Sequence, residues 1–345
     1  MNKYSLAVAE NWEKMPKKYV FVNEKKLIEK ARKVALQDFP LPQWKDNYIF
    51  PINNKNFVSH IFWHNVINFC YGHPWAEKED GSIVKFEARD VSRKWHSGAY
   101  AMGACWYRYF GENEILAEDV LRVFGSLSQT KKFFKGRHHL PLVGERRILL
   151  TESAFVLNSY FRGNPRNILE EGNYRAFGNS DKKGIVNLLV DNFRLTFGSD
   201  KNEIWTENAI FVFHFYKRAQ LFVLEYNSRA VASGGQLKPI EDIEEVGPIA
   251  DYQLPKSYAG ERIFSYANSL NEDIKSKEPL ESGSKAEVEI RAATVWAQLK
   301  ELEIINNIRE SKKLPLLHIG HIDNRRWNIG RKAVGNHHIC LTTAY

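Results

Sequence analysis

Long hydrophobic runs and paired cysteines are both missing from this 345-residue sequence. No apolar stretch approaches the roughly 20 residues that a membrane-spanning helix needs, and the N-terminal MNKYSLAVAENWEK reaches Glu10 before a signal-peptide core can form. The three cysteines, Cys70, Cys105 and Cys340, form no CxxC pair and no disulfide framework, which favours a reducing compartment. We therefore expect a cytoplasmic protein that does not associate with membranes.

The sequence also lacks the common signatures of nucleotide cofactors, serine nucleophiles and zinc proteases. It has no GxGxxG, GxxxxGK[ST], GxSxG or HExxH pattern. His60 and His64 share a face of a predicted helix, but we favour two partly buried structural histidines over a metal pair. His318, His321 and Asp323 have ligand-like spacing in a loop-like sequence, which is weak evidence for a site. We expect neither a metal nor another cofactor.

Charge of one sign is nowhere concentrated. The 49 Lys and Arg residues outnumber the 41 Asp and Glu residues by eight, yet no block of five or more like charges occurs. A net positive protein attracts polyanions such as RNA or DNA, and it attracts a phosphorylated small molecule equally well. The charge leaves both classes of partner open.

Helical patterning and aromatic side chains are abundant. The 9 Trp, 15 Tyr and 21 Phe predict large core residues, with a pocket that stacks a flat ligand as the alternative. The segment GSIVKFEARDV alternates as a strand or hairpin does, and no internal repeat or linker divides the chain. We expect a mainly α fold with a small β-hairpin element near residues 72–96. Helical patterns cover residues 24–37, 56–69, 98–110, 114–124, 142–160, 183–193 and 286–311.

Residues 208–226, NAIFVFHFYKRAQLFVLEY, are the most apolar segment, and their all-round apolar pattern predicts a central buried helix. Lys217 interrupts it at mid-length, where a lysine must reach solvent, lose its proton or meet an anion. A structural role is as good an interpretation as an ammonium that faces a cleft. Asp251, in Ile-Ala-Asp-Tyr before Pro255, is a candidate partner, although capping a helix is the ordinary role of such an aspartate.

Two further segments bear on the fold. Glu287 and Arg291 lie four residues apart near a helix start, which predicts an intrahelical ion pair. The C-terminal HIGHIDNRRWNIG region is expected to be irregular.

Together these segments resemble the queuosine salvage protein family, the queuosine 5′-phosphate N-glycosylases. The resemblance covers the chain from about residue 44 to the C-terminus, and the order and spacing of the motifs make it specific. It implies a mainly α-helical fold related to that of helical DNA glycosylases, and hydrolysis of the bond between queuine and ribose 5-phosphate. The motifs are INFCY (67–71), GAYAMGACWYR (98–108), PLVGERRILL (141–150), YKRAQ (216–220), IADYQLP (249–255), EVEIRAAT (287–294) and IDNRRW (322–327).

The resemblance also assigns candidate site residues. By position, Asp251 matches the family's catalytic aspartate, Lys217 the lysine of its KRAQ motif, and Asp323 a substrate-contacting acid. We add Asn68 and Phe69 of INFCY to the substrate-binding residues. Trp327 joins them, because either Phe69 or Trp327 can stack the base.

Three more candidate substrate-binding positions depart from the family pattern. Asn328 stands where relatives usually carry a second acid, Ile249 where they tend to place Phe, and Tyr48 near where some carry His. Two other positions also depart from the family pattern. Gly72 stands where relatives carry a bulky aromatic residue, and Glu225 stands where they carry an Asp. Queuine bears a cationic secondary amine, so a missing carboxylate weakens its recognition. The base recognised is therefore queuine or a related 7-deazapurine.

Cleavage of an N-glycoside passes through an oxocarbenium-like sugar, so the site needs negative charge near the anomeric carbon. We assign that charge to Asp251, either as electrostatic stabiliser or as nucleophile. A 7-deazapurine lacks the ring nitrogen that a general acid usually protonates, so electrostatics and positioning carry more of the barrier. Lys217 holds Asp251 ionised, orients it or binds the substrate phosphate, and these three roles stay open.

Two other functions compete with this one. The chain is alternatively a glycosylase acting on bases in nucleic acid, or a non-catalytic protein that binds a modified nucleotide. We expect a small-molecule nucleotide as partner and no stable nucleic-acid partner, and we leave the oligomeric state open. Residues 1–345 are expected to form a single compact catalytic unit or two intimately packed helical lobes with the site between them.

Overall fold

The computed structural model describes residues 1–77, 81–179 and 181–345, and the chain divides into two compact units. Each unit is assembled from separate stretches of the sequence, because the chain passes from one to the other more than once. The first unit comprises Met1–Leu41, Asp200–Lys217 and Glu244–Leu341, and the second comprises Pro42–Ser199, Arg218–Ile243 and Thr342–Tyr345.

Helices dominate the described residues, which confirms the predicted mainly α class. The seven predicted helices are present within a few residues of their expected bounds. No helix in the described ranges is both long and apolar enough to cross a membrane. The helices are α1 (Lys3–Lys14), α2 (Glu24–Val34), α3 (Asn54–Val66), α4 (Ala99–Phe110), α5 (Ala117–Val123), α6 (Leu127–Phe133), α7 (Val143–Tyr160), α8 (Arg166–Glu171), α9 (Ile185–Asn192), α10 (Lys217–Val231), α11 (Gln253–Gly260), α12 (Asn268–Ser276), α13 (Lys285–Ser311) and α14 (Ile319–Lys332).

The β structure consists of short two-stranded pairs. The strands are β1 (Val20–Val22), β2 (Gly72–Glu77), β3 (Ile83–Lys85), β4 (Glu87–Arg89), β5 (Trp95–Ser97), β6 (Lys201–Trp205), β7 (Ile210–His214), β8 (Phe264–Tyr266), β9 (Pro279–Leu280) and β10 (Ile339–Cys340). In the first unit β1 pairs with β8 and β6 with β7, both antiparallel, while β9 and β10 are parallel. In the second unit the antiparallel pairs β2–β3 and β4–β5 confirm the predicted β element near residues 72–96.

Helix α13 is the central element of the first unit. Ser284 caps its start by accepting a hydrogen bond from the Glu287 backbone N (3.4 Å), and the helix then packs against α1, α2, α11 and α14. Val288, Ala292 and Val295 follow the helical spacing and are at most 3% exposed. Burial of each such aliphatic side chain larger than alanine contributes about 1.5–3 kcal/mol. The hydrophobic core of this unit therefore forms around α13.

Aromatic side chains form much of the core of the second unit. The ring centroid of Trp106 lies 5.8, 5.5, 5.1 and 6.5 Å from those of Phe110, Phe124, Phe133 and Phe134. All five side chains are at most 8% exposed. These distances are typical of stacked and edge-to-face pairs in protein interiors. For this cluster the structure confirms the core interpretation over a ligand-stacking pocket.

The prediction of one central helix over residues 208–226 is wrong. Ile210–His214 form strand β7, and α10 begins only at Lys217. Between them Tyr216 adopts a left-handed backbone with φ of 47°, which ends the strand before the helix starts. An apolar run rich in aromatic and β-branched residues suits a strand, and apolar character does not separate a strand from a buried helix. Lys217 therefore lies at a helix start instead of at mid-helix.

The C-terminal region that was expected to be irregular is also helical. Residues 319–332 form α14, although His, Asn, Asp and Gly are weak helix formers. Its stability comes from side chains distant in sequence, because Arg326 bonds to Glu301 and Glu261 and is 2% exposed. Tertiary contacts have overridden local propensity here.

Candidate functional site

Asp251 lies two residues before the first residue of α11 and caps this helix with its side chain. Its Oδ1 accepts hydrogen bonds from the backbone N of Gln253 (2.8 Å) and of Leu254 (3.2 Å). The ordinary role of an aspartate at such a position is therefore confirmed. The side chain is half-buried, and the two amides fix the orientation of the whole carboxylate. The N-terminal end of a helix also favours negative charge.

Helix α14 makes a very close approach to the start of α11. A Cβ on Gly330 would lie 2.1 Å from the carbonyl oxygen of Gln253, so only glycine fits. Asp323 and Trp327 precede Gly330 by seven and three residues and lie along the same side of α14. Both side chains are half-buried. The side of α14 that contacts the turn after Asp251 thus carries two of the predicted substrate-binding residues.

The other two candidates of this region have local partners. Asn328 is exposed and donates hydrogen bonds to the backbone oxygen (2.8 Å) and Oδ1 (3.2 Å) of Asn324 on its own helix. Ile249 is 2% exposed, and its carbonyl accepts a hydrogen bond from the backbone N of Asp251 (3.0 Å). Ile249 thus belongs to the core and helps to hold the turn that carries Asp251.

A buried ion cluster, which sequence patterns did not indicate, fastens α14 to its neighbours. Arg326 bonds to both carboxylate oxygens of Glu301 on α13 (2.7 Å each) and to Glu261 (2.5 Å). Tyr258 of α11 donates its hydroxyl to the same Glu301 (2.8 Å). Burial raises the pKa of Glu261, but the charges and hydrogen bonds of Arg326 and Lys30 together outweigh burial and leave the pKa below its usual value. Truncating one partner would leave a buried charge uncompensated.

Lys217, the first residue of α10, is buried, with 4% of its surface exposed. Its backbone N donates a hydrogen bond to Oδ2 of Asp200 (2.8 Å). The predicted ion pair between Glu287 and Arg291 is present at 3.7 Å. Arg291 makes shorter bonds to the two carboxylate oxygens of Asp200, at 2.8 and 3.0 Å. Sequence reasoning missed Asp200, because it lies outside every motif and far from Arg291 in sequence.

Asn68 and Phe69 follow the C-terminal end of α3 in the second unit. Asn68 is 7% exposed and its Oδ1 accepts a hydrogen bond from the Tyr71 hydroxyl (3.0 Å). Phe69 is fully buried, and the guanidinium carbons of Arg146 and Arg218 lie 4.1 and 5.1 Å from its ring centroid. Three motifs, INFCY, PLVGERRILL and YKRAQ, therefore meet at this ring.

The same two arginines satisfy the carbonyl groups at the end of α3. Arg146 donates to the backbone oxygens of Ile67, Phe69 and Cys70. Arg218 donates to those of Asn65 and Val66, also from a buried position. The last carbonyls of a helix have no partner within the helix, and positive charge is favourable there. The arginines of two motifs thus hold the backbone of a third.

Tyr48 lies on the surface of the second unit. Its side chain is 42% exposed, its φ is 63°, and its ring meets Tyr107 edge to face with centroids 5.8 Å apart. It lines a cleft of 380 Å³ that also contains Asp90, His96 and Tyr100. Within that cleft the His96 Nε2 lies 2.7 Å from Asp90 Oδ2.

The histidines singled out by their spacing have structural partners. His60 Nε2 lies 2.9 Å from the Asn113 carbonyl oxygen and His64 Nε2 lies 3.0 Å from that of Ala99. Burial lowers the pKa of His60 to about 4, so its ring is neutral at pH 7. The structural interpretation of this pair is confirmed. In the parts of the chain that the structure describes, no group of three or more His, Cys, Asp or Glu could hold a metal ion.

The fold and these placements define a mainly α-helical protein with a helix-capping aspartate and a buried lysine in its first unit. Residues 49–343 match the model of the family described as "Queuosine salvage protein", and the chain belongs to that family.

Three relatives illustrate the similarity, and each is named "Queuosine 5'-phosphate N-glycosylase/hydrolase". The protein of Sphaerobacter thermophilus is 25% identical over 279 residues, which cover 80% of this chain and 78% of the relative. The protein of Dictyostelium discoideum is 27% identical, over 88% of this chain and 85% of the relative. For the Mus musculus protein the identity is 26%, over 79% and 75%.

Proposed function

We propose that this chain hydrolyses the N-glycosidic bond of queuosine 5′-monophosphate, or of a related 7-deazapurine nucleotide, and releases queuine and ribose 5-phosphate. The observation that carries the proposal is the fixed, half-buried carboxylate of Asp251 in a chain that matches this family over residues 49–343. The names of the relatives support the same reaction class. The reaction consumes water and requires no cofactor.

Asp251 is the group that we assign to the reacting centre. Positive charge develops on the sugar as the glycosidic bond breaks, and a carboxylate near the anomeric carbon stabilises it most strongly where water is scarce. A carboxylate that two amides already hold in place needs little reorganisation during the reaction. Asp251 acts as electrostatic stabiliser or as nucleophile, and both forms of the proposal depend on its charge.

Lys217 is the second group of the proposed site. A buried ammonium interacts with carboxylates and phosphates more strongly than an exposed one, because the local dielectric constant is lower. It holds Asp251 ionised, orients it or binds the substrate phosphate. Asp323 and Trp327 on α14 are the proposed contacts of the base, through its cationic amine and its flat ring. Asn68, Asn328 and Tyr48 complete the proposed substrate-binding set. Phe69 and Ile249, which are at most 2% exposed, take an indirect part in it, as core residues that support the neighbouring backbone.

We also propose that the protein works in the cytoplasm. Cys70, Cys105 and Cys340 are buried thiols, as a reducing compartment allows.

The direct experiment incubates the purified chain with queuosine 5′-monophosphate and measures free queuine and ribose 5-phosphate by mass spectrometry. Nucleotides of preQ-type deazapurines are tested in parallel, because Asn328 stands where relatives usually carry an acid. We expect release of base from at least one of these nucleotides. Binding without release would instead support a non-catalytic nucleotide-binding protein, and release from tRNA or DNA alone would support a nucleic-acid glycosylase.

A further inference from the structure

Asp200 joins two motifs that are far apart in the sequence. Its carboxylate accepts the backbone N–H of Lys217 in YKRAQ and both terminal nitrogens of Arg291 in EVEIRAAT. Asp200 is 5% exposed, Arg291 2% and Lys217 4%, so water competes little for these bonds. No residue of the EVEIRAAT motif is among the proposed site residues, and this contact links the motif to Lys217.

The backbone of Asp200 holds the same turn. Its carbonyl oxygen accepts hydrogen bonds from the backbone N of Phe215 (3.1 Å) and of Tyr216 (3.4 Å). With the bond from its side chain to Lys217, this one residue binds three consecutive N–H groups. The left-handed conformation of Tyr216 costs about 1–2 kcal/mol for a residue other than glycine, so such a turn persists only where its surroundings fix it. Asp200 therefore determines where α10 begins and where Lys217 sits.

Arg291 holds the Asp200 carboxylate in turn. The two parallel bonds at 2.8 and 3.0 Å are the bidentate arrangement that a guanidinium makes with a carboxylate and that a lysine cannot reproduce. Glu287 lies 3.7 Å from the same guanidinium, and the ring centroid of Phe215 lies 3.9 Å from its central carbon. The guanidinium is thus fixed by a salt bridge, an ion pair within its helix and an aromatic face.

We propose that Asp200, held by Arg291, is a positioning residue that places Lys217 for the reaction. The inference rests on the proposed function, in which Lys217 takes part. Asp200 acts through the backbone of the turn, because its carboxylate accepts a hydrogen bond from the backbone N–H of Lys217, next to the Cα atom that carries the lysine side chain. A carboxylate at the first N–H of α10 also meets a donor that has no partner within the helix.

The first test replaces Asp200 by asparagine. Asp200→Asn keeps one acceptor but loses the paired bonds to Arg291, so we expect kcat on queuosine 5′-monophosphate to fall by about 10²-fold, as small misplacements of reacting groups do. Asp242→Asn is the matched control. Asp242 is 1% exposed and also accepts two backbone N–H groups, from Ala176 (2.5 Å) and Phe177 (3.2 Å), but it belongs to the second unit. We expect Asp242→Asn to lower the unfolding temperature and to leave kcat within about twofold.

The second test is a double-mutant cycle with Lys217→Met, which separates positioning from general destabilisation. If Asp200 acts through Lys217, Asp200→Asn lowers kcat by less than about twofold in the Lys217→Met background. Equal losses in both backgrounds would overturn the inference and leave the proposed function intact. Full activity of Lys217→Met would show that Lys217 takes no part in the mechanism, and this would overturn the inference. The proposed role of Asp251 would be unaffected.

If Asp200→Asn does not fold, the milder substitution Arg291→Lys replaces it in the double-mutant cycle. Arg291→Lys preserves the positive charge but not the paired geometry. We expect a smaller fall in kcat for Arg291→Lys, and again no further loss once Lys217 is methionine. A fall that persists unchanged in the Lys217→Met background would count against positioning.

Discussion

The carboxylate of Asp251 combines two roles that sequence patterns present as alternatives. Capping α11 uses its Oδ1, and the same two bonds set the direction of the carboxylate. A cap is a short, rigid connection to the backbone, which is what an electrostatic catalyst needs, because preorganised charge requires no reorientation during the reaction. The helix cap and the proposed catalytic role therefore support each other at this residue.

Asp251→Asn tests the charge separately from the cap. The asparagine oxygen still accepts the N–H groups of Gln253 and Leu254, so we expect the free energy of unfolding to change by only a few tenths of a kcal/mol. We expect kcat to fall by on the order of 10²–10³, because the negative charge is lost. Steady-state kinetics and chemical denaturation measure the two quantities.

Asp251→Ala is the companion variant, since it removes charge and cap together. It should lose as much activity as Asp251→Asn and in addition about 1 kcal/mol of stability. Full activity of Asp251→Asn would show that the residue only caps α11.

Lys217 shows that the environment of a side chain depends on residues that the local pattern does not indicate. A mid-helix position was expected for this lysine, with solvent, loss of its proton or an anion as alternatives, yet the lysine begins α10 and is buried there, at 4% exposed. Its environment is created by the turn at Tyr216 and by Asp200, neither of which the local pattern indicates.

Among the elements, α14 begins with an unusual cap built from two histidines. His318 Nδ1 accepts a hydrogen bond from the Gly320 backbone N (3.2 Å), and His321 Nδ1 lies 3.2 Å from the His318 backbone N. Their ring centroids are 4.1 Å apart. Burial lowers the pKa of His318 to about 3, with a smaller contribution from His321. Burial also lowers the pKa of His321, and the charge of Arg309 on α13 adds to that effect.

This cap makes the stability of α14 depend on pH. In the unfolded chain His318 has an ordinary pKa of about 6.5, so the unfolded state takes up its proton first as the pH falls. The contribution to stability is therefore complete above pH 6.5 and is lost as the pH falls from there toward 3. We expect the unfolding temperature of the wild-type chain to drop over this range.

His318→Asn removes the titrating group and keeps a good cap, because asparagine is among the preferred N-cap residues. We expect the unfolding temperature of His318→Asn to fall less between pH 7 and pH 5 than that of the wild type. His139→Asn, on an exposed side chain, is the control and should follow the wild-type profile. Superimposable pH profiles for His318→Asn and wild type would contradict the assignment of this cap.

For the whole molecule, part of the positive charge lies in the interior. Five arginines are at most 2% exposed, and each binds carbonyl, amide or carboxylate oxygens: Arg146, Arg218, Arg229, Arg291 and Arg326. Buried carboxylates such as those of Asp200, Glu287 and Glu301 offset these arginines, so the net charge of +8 lies on the remaining, more accessible residues. The overall charge is therefore compatible with a nucleic-acid partner and with a small phosphorylated substrate alike.

The salt dependence of polynucleotide binding distinguishes these two kinds of partner. We expect weak binding of tRNA or duplex DNA at 150 mM salt, and a plot of log affinity against log salt with a slope shallower than about −3. Neither polymer should inhibit hydrolysis of the nucleotide. A slope of about −6 or steeper, together with inhibition, would favour the nucleic-acid glycosylase.

The sequence by itself determined the features that depend on neighbours within a few turns. Helical spacing located α7 and α13, alternation located the strands near residues 72–96, and the four-residue spacing of Glu287 and Arg291 gave their ion pair. The capping position of Asp251 and the family motifs are local patterns of the same kind.

Only the tertiary structure decided the features whose partners lie far apart in the chain. Strand β7 needs β6 beside it, α14 needs Glu301 and Glu261 to hold Arg326, and Asp200 meets Arg291 across 91 positions. The periodicity of a sequence indicates which side chains share a face of a helix or strand. Which residues distant in sequence contact each other depends on packing and on the need to pair buried charges. For this reason Lys217 and Asp251 could be named from the sequence, but the residue that fixes the position of Lys217 could not.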